Sequence, residues 1–219
     1  MITIYEWQLP FGLASLGFDL KDRAGKNQIA SLVRQTLATT PAPRSLQNPP
    51  TLQLYVDKYS EQVTTDAAAD IQKYIQFQRG LGFTVGGVPT GFAPLAMGRQ
   101  AIRPSNTAIA GLAEGLAGWY LENSGFLPLA RPVGEGPDIV FFAPQQMPPY
   151  VLVQVKGTQQ SDVRGQMRSA AVPLLEYGFK VGATLPSNTF SCHVVGVVIS
   201  SATNFDVLSL RADLLRTGV

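Results

Sequence analysis

Two short segments in the second half of the chain bring an acid, an amide and a lysine together if they form neighbouring strands. In residues 150–156, the two-residue side-chain period of a strand puts Gln154 and Lys156 on one face and three valines on the other. The preceding segment opens with Asp138 and continues with the apolar letters IVFF, so an acid lies at the mouth of that strand. The pattern predicts a small polar site beside an apolar core.

These residues resemble the PD-(D/E)xK nuclease superfamily, in which a helix glutamate, the aspartate of the PD pair and a (D/E)xK strand converge on a divalent metal. The matching stretches here read AEG around Glu114, GEGPDIV around Asp138 and VQVKGT around Gln154. The helix sequence GLAEGLAGWYLENSGF also resembles a motif of small DNA endonucleases and of relatives of the Holliday-junction resolvases. The resemblance covers roughly the C-terminal half, and its weight comes from the order and spacing of the motifs.

The resemblance implies a Mg²⁺- or Mn²⁺-dependent endodeoxyribonuclease. Asp138 would be the principal metal ligand, Glu114 an outer or second ligand, and the backbone carbonyl of Val155 a further one. Lys156 would contact the attacking water or the scissile phosphate. Hydrolysis of a phosphodiester builds negative charge on the phosphoryl oxygens, which explains the need for a cation held by carboxylates and for a lysine. Gln154 departs from the family pattern, which more often has Asp or Glu, and would be a neutral, auxiliary ligand.

Gln154 also motivates a second hypothesis, a catalytically degenerate nuclease-fold module that binds nucleic acid or a protein partner. Polar residues around the start of the next helix could hold phosphates, or they could form a plain solvated face. They are Gln159, Gln160, Arg164, Gln166 and Arg168. The resemblance favours DNA as the substrate, although the sequence leaves RNA open, and it suggests a homodimer that would supply two active sites.

The composition excludes other classes of site. A formal net charge of +2, without runs of like charge, gives no chain-wide basic field and no polybasic membrane anchor. Cys192 and His193 are the single cysteine and the single histidine, so neither an intrachain disulfide nor a Cys/His zinc cluster can form. We interpret both as packing residues. Because the chain shows neither a signal-peptide pattern nor about 18 consecutive apolar residues, we expect a cytoplasmic protein without a membrane partner.

The site requires a restriction-endonuclease-like α/β core of order αβββαβ, with a central mixed sheet flanked by helices. Apolar periodicity predicts a helix from residue 106 that ends at Gly125, and a helix over 161–177 that Gly178 closes and Pro173 bends or breaks. The predicted β-segments cover residues 126–131, 137–143 and 150–156, which form a meander, and the buried run 193–201. Residues 208–216 are predicted to be a terminal helix.

The first part of the chain is predicted to be an α+β accessory segment, residues 1–98, ahead of a nuclease-like domain, residues 99–219. The boundary lies in the glycine- and proline-rich stretch 81–104, which suits a long connection or a pair of short strands. Periodicity predicts helices over 27–37 and 64–78 and a strand over 51–59, and the proline-rich stretch 41–50 reads as a linker or an extended loop.

Overall fold

The computed structural model describes residues 1–14, 20–60, 84–85, 88–89, 106–132, 136–159, 162–181, 187–201 and 203–215. The described chain is α/β, with a seven-stranded mixed sheet between helices. The strands are β1 (Ile2–Ala14), β2 (Arg44–Leu46), β3 (Thr84–Val85), β4 (Val88–Pro89), β5 (Leu127–Ala130), β6 (Ile139–Phe142), β7 (Tyr150–Thr158), β8 (Thr189–Ile199) and β9 (Phe205–Leu215). The helices are α1 (Arg23–Ala38), α2 (Leu52–Tyr59), α3 (Asn106–Asn123) and α4 (Val163–Val181).

The strand order of the large sheet is β2-β1-β9-β8-β7-β6-β5. β5, β6 and β7 are antiparallel neighbours, and the crossover through α4 makes β8 parallel to β7. β9 runs antiparallel to β8, and β1 runs parallel to β9. The predicted αβββαβ order, the meander and the mixed sheet flanked by helices are therefore confirmed for the stretch from α3 to β8.

Each face of the sheet carries its own hydrophobic cluster because side chains alternate along the strands. Val151, Val153 and Val155 of β7 pack with residues of α2 and α3, on what we call the α3 face. Leu152 packs with residues of α1 and α4, on what we call the α4 face. Strand β8 is buried along almost its whole length, which confirms the predicted two-sided strand.

Helix α3 is held closely by its neighbours through glycines. A methyl group at Gly118 would overlap the Tyr59 ring, and one at Gly115 would lie 2.8 Å from the backbone nitrogen of Val56. Tyr59 and Val56 belong to α2, so the strand predicted for residues 51–59 is wrong. Its apparent alternation hides the helical pair Val56 and Tyr59, which is buried against α3. Gly125 has a φ of 87° and follows the end of α3, as predicted.

Helix α4 extends beyond its predicted end. Gly178 lies inside the helix. A methyl group at this position would come within 2.6 Å of the Phe190 ring. This glycine permits close packing on the sheet and does not end the helix. Pro173, on the exposed side, is accommodated within the same helix. The terminal helix predicted for residues 208–216 is also wrong, because β9 pairs with β8 and β1 along this stretch.

The N-terminal residues share the sheet with the predicted nuclease-like domain. β1 pairs with β9, α1 packs against α4, and both hydrophobic clusters combine residues from the two predicted segments. The helix predicted for 27–37 is confirmed by α1. The helix predicted for 64–78 lies outside the described residues, whereas β3 and β4 form a short antiparallel pair within the stretch 81–104. No helix among the described residues is long and apolar enough to cross a membrane.

Candidate active site at the open edge of β7

Strands β6 and β7 separate at the position where the polar residues lie. Ile139 to Phe142 of β6 pair with Val153 to Tyr150 of β7. The second half of β7, from Gln154 to Thr158, pairs only with β8 within the described residues. Its other side is therefore an open strand edge, which begins immediately beside the start of β6.

Asp138 occupies the point of separation and contacts three residues of β7. Its carboxylate accepts hydrogen bonds from the side-chain nitrogen of Gln154, at 2.9 Å to Oδ1 and 2.8 Å to Oδ2. The backbone N–H of Val155 donates to Oδ2 at 2.5 Å. The backbone N–H of Asp138 itself donates to the carbonyl of Val153 at 2.8 Å. The predicted grouping of Asp138 with Gln154 and Val155 is therefore present, and it fixes the orientation of the carboxylate.

The same contacts define which backbone and side-chain atoms face the site. The N–H and C=O of one strand residue point to the same side of the strand, so the carbonyl of Val155 also faces the open edge. Lys156 lies two residues beyond Gln154 and shares its face of β7. No ion pair among the described residues involves Lys156, which is partly exposed. An ammonium group therefore lies on the same strand face as the Gln154 amide that binds Asp138.

Glu114 lies on α3, near the second half of β7. The preceding residue, Ala113, packs on Gly157, where a methyl group would lie 2.6 Å from the Ala113 Cβ. The Glu114 carboxylate is 12% exposed and forms an ion pair with Arg131 at 3.6 Å, and Arg131 also donates to the carbonyl of Tyr59. Glu114 thus lies near the open edge but on the helix that covers the α3 face. Its convergence with Asp138 on one cation stays a prediction.

The residues predicted to bind substrate around the start of α4 have different environments. The side-chain amide atoms of Gln159 are buried and make no hydrogen bond within the described part of the chain. The guanidinium of Arg164 donates to the carbonyl of Leu37 at 3.1 Å and lies 5.3 Å from the centre of the Trp7 ring. Those contacts connect α4 to the α1 side of the fold. Gln166 and Arg168 remain partly or fully exposed, and Gln160 lies outside the described residues.

A groove of about 240 Å³ borders Gln154 on the α4 face. Its walls include Gly136, Tyr177 and Lys180. Gly136 is close to the ring of Tyr177, because a methyl group there would lie 2.8 Å from it. Neither Tyr177 nor Lys180 is among the site residues predicted from the sequence. Their helical spacing gives no indication that Tyr177 faces the segment that leads into Asp138.

The donor atoms at the open edge suit a hard cation with few protein ligands. They are the carboxylate of Asp138, the amide oxygen of Gln154 and the carbonyl of Val155. Mg²⁺ is usually held by one or two carboxylates and completes its shell with water and substrate phosphates. The described residues contain no group of three or more His, Cys, Asp or Glu side chains that could hold a metal ion.

Three comparisons were made with known proteins, and the chain matches no protein-family model, no curated protein and no solved structure. Its function is therefore inferred from the site itself.

Proposed function

We propose that this chain is a metal-dependent nuclease that hydrolyses DNA phosphodiester bonds at the open edge of β7. The observation that carries the proposal is the contact of Asp138 with both Gln154 and Val155. These two residues immediately precede Lys156 on β7. The α3–β5–β6–β7–α4–β8 order adds support, because it resembles the restriction-endonuclease-like core. An acid placed where two strands separate, beside a lysine on the next strand, is the arrangement that this chemistry needs.

Each residue has a role that follows from its contacts. The hydrogen bonds from Gln154 and Val155 fix the orientation of the Asp138 carboxylate. Gln154 positions Asp138 through its nitrogen and leaves its amide oxygen for the cation. The ammonium of Lys156 can donate to a phosphate oxygen or to the attacking water. When bound, Mg²⁺ or Mn²⁺ would supply polarisation of the phosphate and a more acidic water.

One observation favours the second candidate, a nuclease-fold module that binds without turnover. The Gln154 amide gives Asp138 a hydrogen-bond donor where a second carboxylate would instead repel it. The Asp138 carboxylate is thereby stabilised by protein groups alone and does not depend on a cation. A module of this kind would bind DNA or a protein partner and would not cut.

The test is cleavage of supercoiled plasmid and of branched DNA with Mg²⁺ or Mn²⁺. Asp138→Asn and Lys156→Met are compared with the wild type, and Asp57→Asn and Lys21→Met are the matched controls. Both controls change one exposed charge of the same sign away from the open edge. We expect the two site variants to lose about 100-fold or more of the cleavage rate, the scale of losing one electrostatic group from an active site.

The outcomes separate the two candidates. Cleavage that needs metal and disappears only in the site variants supports the nuclease. Wild-type protein that binds DNA without cutting any substrate, and takes up no metal in calorimetry, supports the binding module. Cleavage that survives in Asp138→Asn would place the activity elsewhere and refute the proposed site.

A further inference from the structure

A second polar cluster lies on the α3 face of the sheet, opposite the face that carries Gln154 and Lys156. Three central strands place polar side chains side by side there, because His193 of β8 pairs with Arg211 of β9, and Arg211 pairs with Gln8 of β1. In the next row, Ser209 pairs with Glu6. Further along the same strands this face is apolar and covered by α3. The change from apolar to polar occurs near the C-terminal end of α3.

These side chains line a cavity of about 300 Å³. Its floor is buried, since His193 is 3% exposed and Ser209 is 2% exposed. Glu6 is exposed and Arg211 is half-buried, and both stand at the mouth. A volume of this size is at the small end of ordinary ligand sites, which suits a small metabolite.

The imidazole of His193 is the strongest sign that this cavity takes a ligand. Neither of its nitrogens makes a hydrogen bond within the described residues, although the side chain is almost completely buried. Native proteins pair the large majority of such buried groups, because leaving one unpaired destabilises the fold. The sequence interpretation of His193 as a simple packing residue is therefore incomplete.

The charges at the mouth limit what the ligand can be. Glu6 is paired with Arg44 at 3.2 Å and accepts from the Tyr120 hydroxyl at 2.6 Å. Arg211 is paired through its Nε with Asp213 at 2.7 Å, which leaves its terminal NH₂ groups to bind a further carboxylate. Because each charge already has a counter-charge, a ligand with a net charge would bring an uncompensated charge into a partly buried site. A molecule with one positive and one negative end avoids that cost.

We propose that the cavity binds a small zwitterion of the amino-acid class, with its carboxylate at Arg211 and His193 and its ammonium at Glu6. The positions of the two charges match such a ligand. Arg211 lies beside His193, whereas Glu6 lies one row away, diagonally across from Arg211. The two residues therefore present opposite charges from neighbouring strands, one row apart, as the two ends of one small molecule require.

The experiment uses the fact that His193 is the only histidine, so its imidazole NMR signals report on the cavity directly. The full chain, without an affinity tag, is titrated with each common amino acid to about 10 mM, and affinities are taken from the shift. Acetate and ethylammonium supply each charge alone, and glucose and adenosine are uncharged comparisons. We expect at least one amino acid to move the His193 signals, and acetate and ethylammonium to bind at least about 10-fold more weakly.

Variants locate the binding site. Arg211→Gln and Glu6→Gln are each expected to weaken amino-acid binding by about 10-fold or more, the scale of one charge-assisted hydrogen bond. Arg34→Gln, a change of one exposed charge on α1, is expected to bind like the wild type. Unchanged thermal unfolding confirms that each variant is folded. Asp138→Asn is expected to keep amino-acid binding, so this proposal can fail or succeed independently of nuclease activity.

The proposal is overturned by any of three results. The first is that no amino acid shifts the His193 signals. The second is that acetate alone binds as tightly as every amino acid, and the third is that glucose or adenosine binds in place of the amino acids.

Discussion

Replacing Gln154 with glutamate tests how the Asp138 carboxylate is held. The wild-type amide nitrogen donates to both oxygens of Asp138, at 2.9 and 2.8 Å. In Gln154→Glu an acceptor replaces this donor, which removes a bond to a charged group worth about 1.5–3 kcal/mol. The two carboxylates also repel each other. That repulsion cannot exceed the cost of protonating the new carboxyl at pH 7, about 4 kcal/mol from a reference pKa of about 4.3.

We therefore expect Gln154→Glu to lower the free energy of unfolding by about 2–4 kcal/mol at pH 7 without metal. Repulsion raises the pKa of the introduced carboxyl in the folded state, so the lost stability returns as the pH falls toward its unfolded value of about 4.3. Mn²⁺ or Mg²⁺ should also restore stability at pH 7, because two carboxylates then face one cation. Urea unfolding with and without Mn²⁺ measures both effects, and Gln53→Glu on α2 is the control. Equal stability of wild type and Gln154→Glu at pH 7 without metal would refute the reasoning.

The remaining predictions concern the helices, the buried histidine and the glycines. Arg164→Ala should lower the free energy of unfolding by about 1–2 kcal/mol, because it loses the bond to Leu37 and the contact with Trp7, whereas the exposed Arg168→Ala should weaken DNA binding without changing stability. Urea unfolding and a DNA-binding titration distinguish the two. Burial, and next the charge of Arg211, lowers the pKa of His193 to about 3, so its NMR signals should not titrate between pH 5 and 8. Because this pKa is lower in the folded state, the histidine contributes stability above about pH 6.5 and loses about 2 kcal/mol of it by pH 5. Gly157→Ala should destabilise the fold by about 1–3 kcal/mol through contact with Ala113, and a variant as stable as wild type in urea would contradict the close packing of α3 on β7.

The central part of the fold could be predicted because its periodicities are unambiguous. The β-branched run of β8 and the alternation in β7 belong to strands that bury their valines, and these features place Gln154 and Lys156 correctly on one face. The errors occur where the spacing of apolar residues fits both the period of a strand and the period of a helix. In α2, the letters Leu52, Leu54 and Val56 alternate as in a strand, yet the helix is selected by the space that Gly115 and Gly118 leave for it.

The second cluster could not be predicted from single strands. Glu6 lies on β1, about 190 residues before His193 and Arg211 in the chain. Its position beside them depends on the register of β1 and β8 against β9. The leucine-rich stretch of β9 also suggested a helix, which hid the alternation of Ser209 and Arg211. The orientation of the Gln154 nitrogen toward Asp138 likewise requires the geometry of the pair, because parity places side chains on a face but does not say which atoms meet.

The pairing of β1 with β9 has a consequence for how the molecule is made. Ile2 pairs with Phe205, so the first strand finds its parallel partner only about 200 residues later. A ribosome that has released the meander, α4 and β8 has still not supplied the strand that joins β1 to them. During that interval β1 exposes a free edge and an apolar side, which is the condition under which strands associate wrongly or recruit chaperones. Completion of this sheet therefore depends on synthesis of the chain through β9.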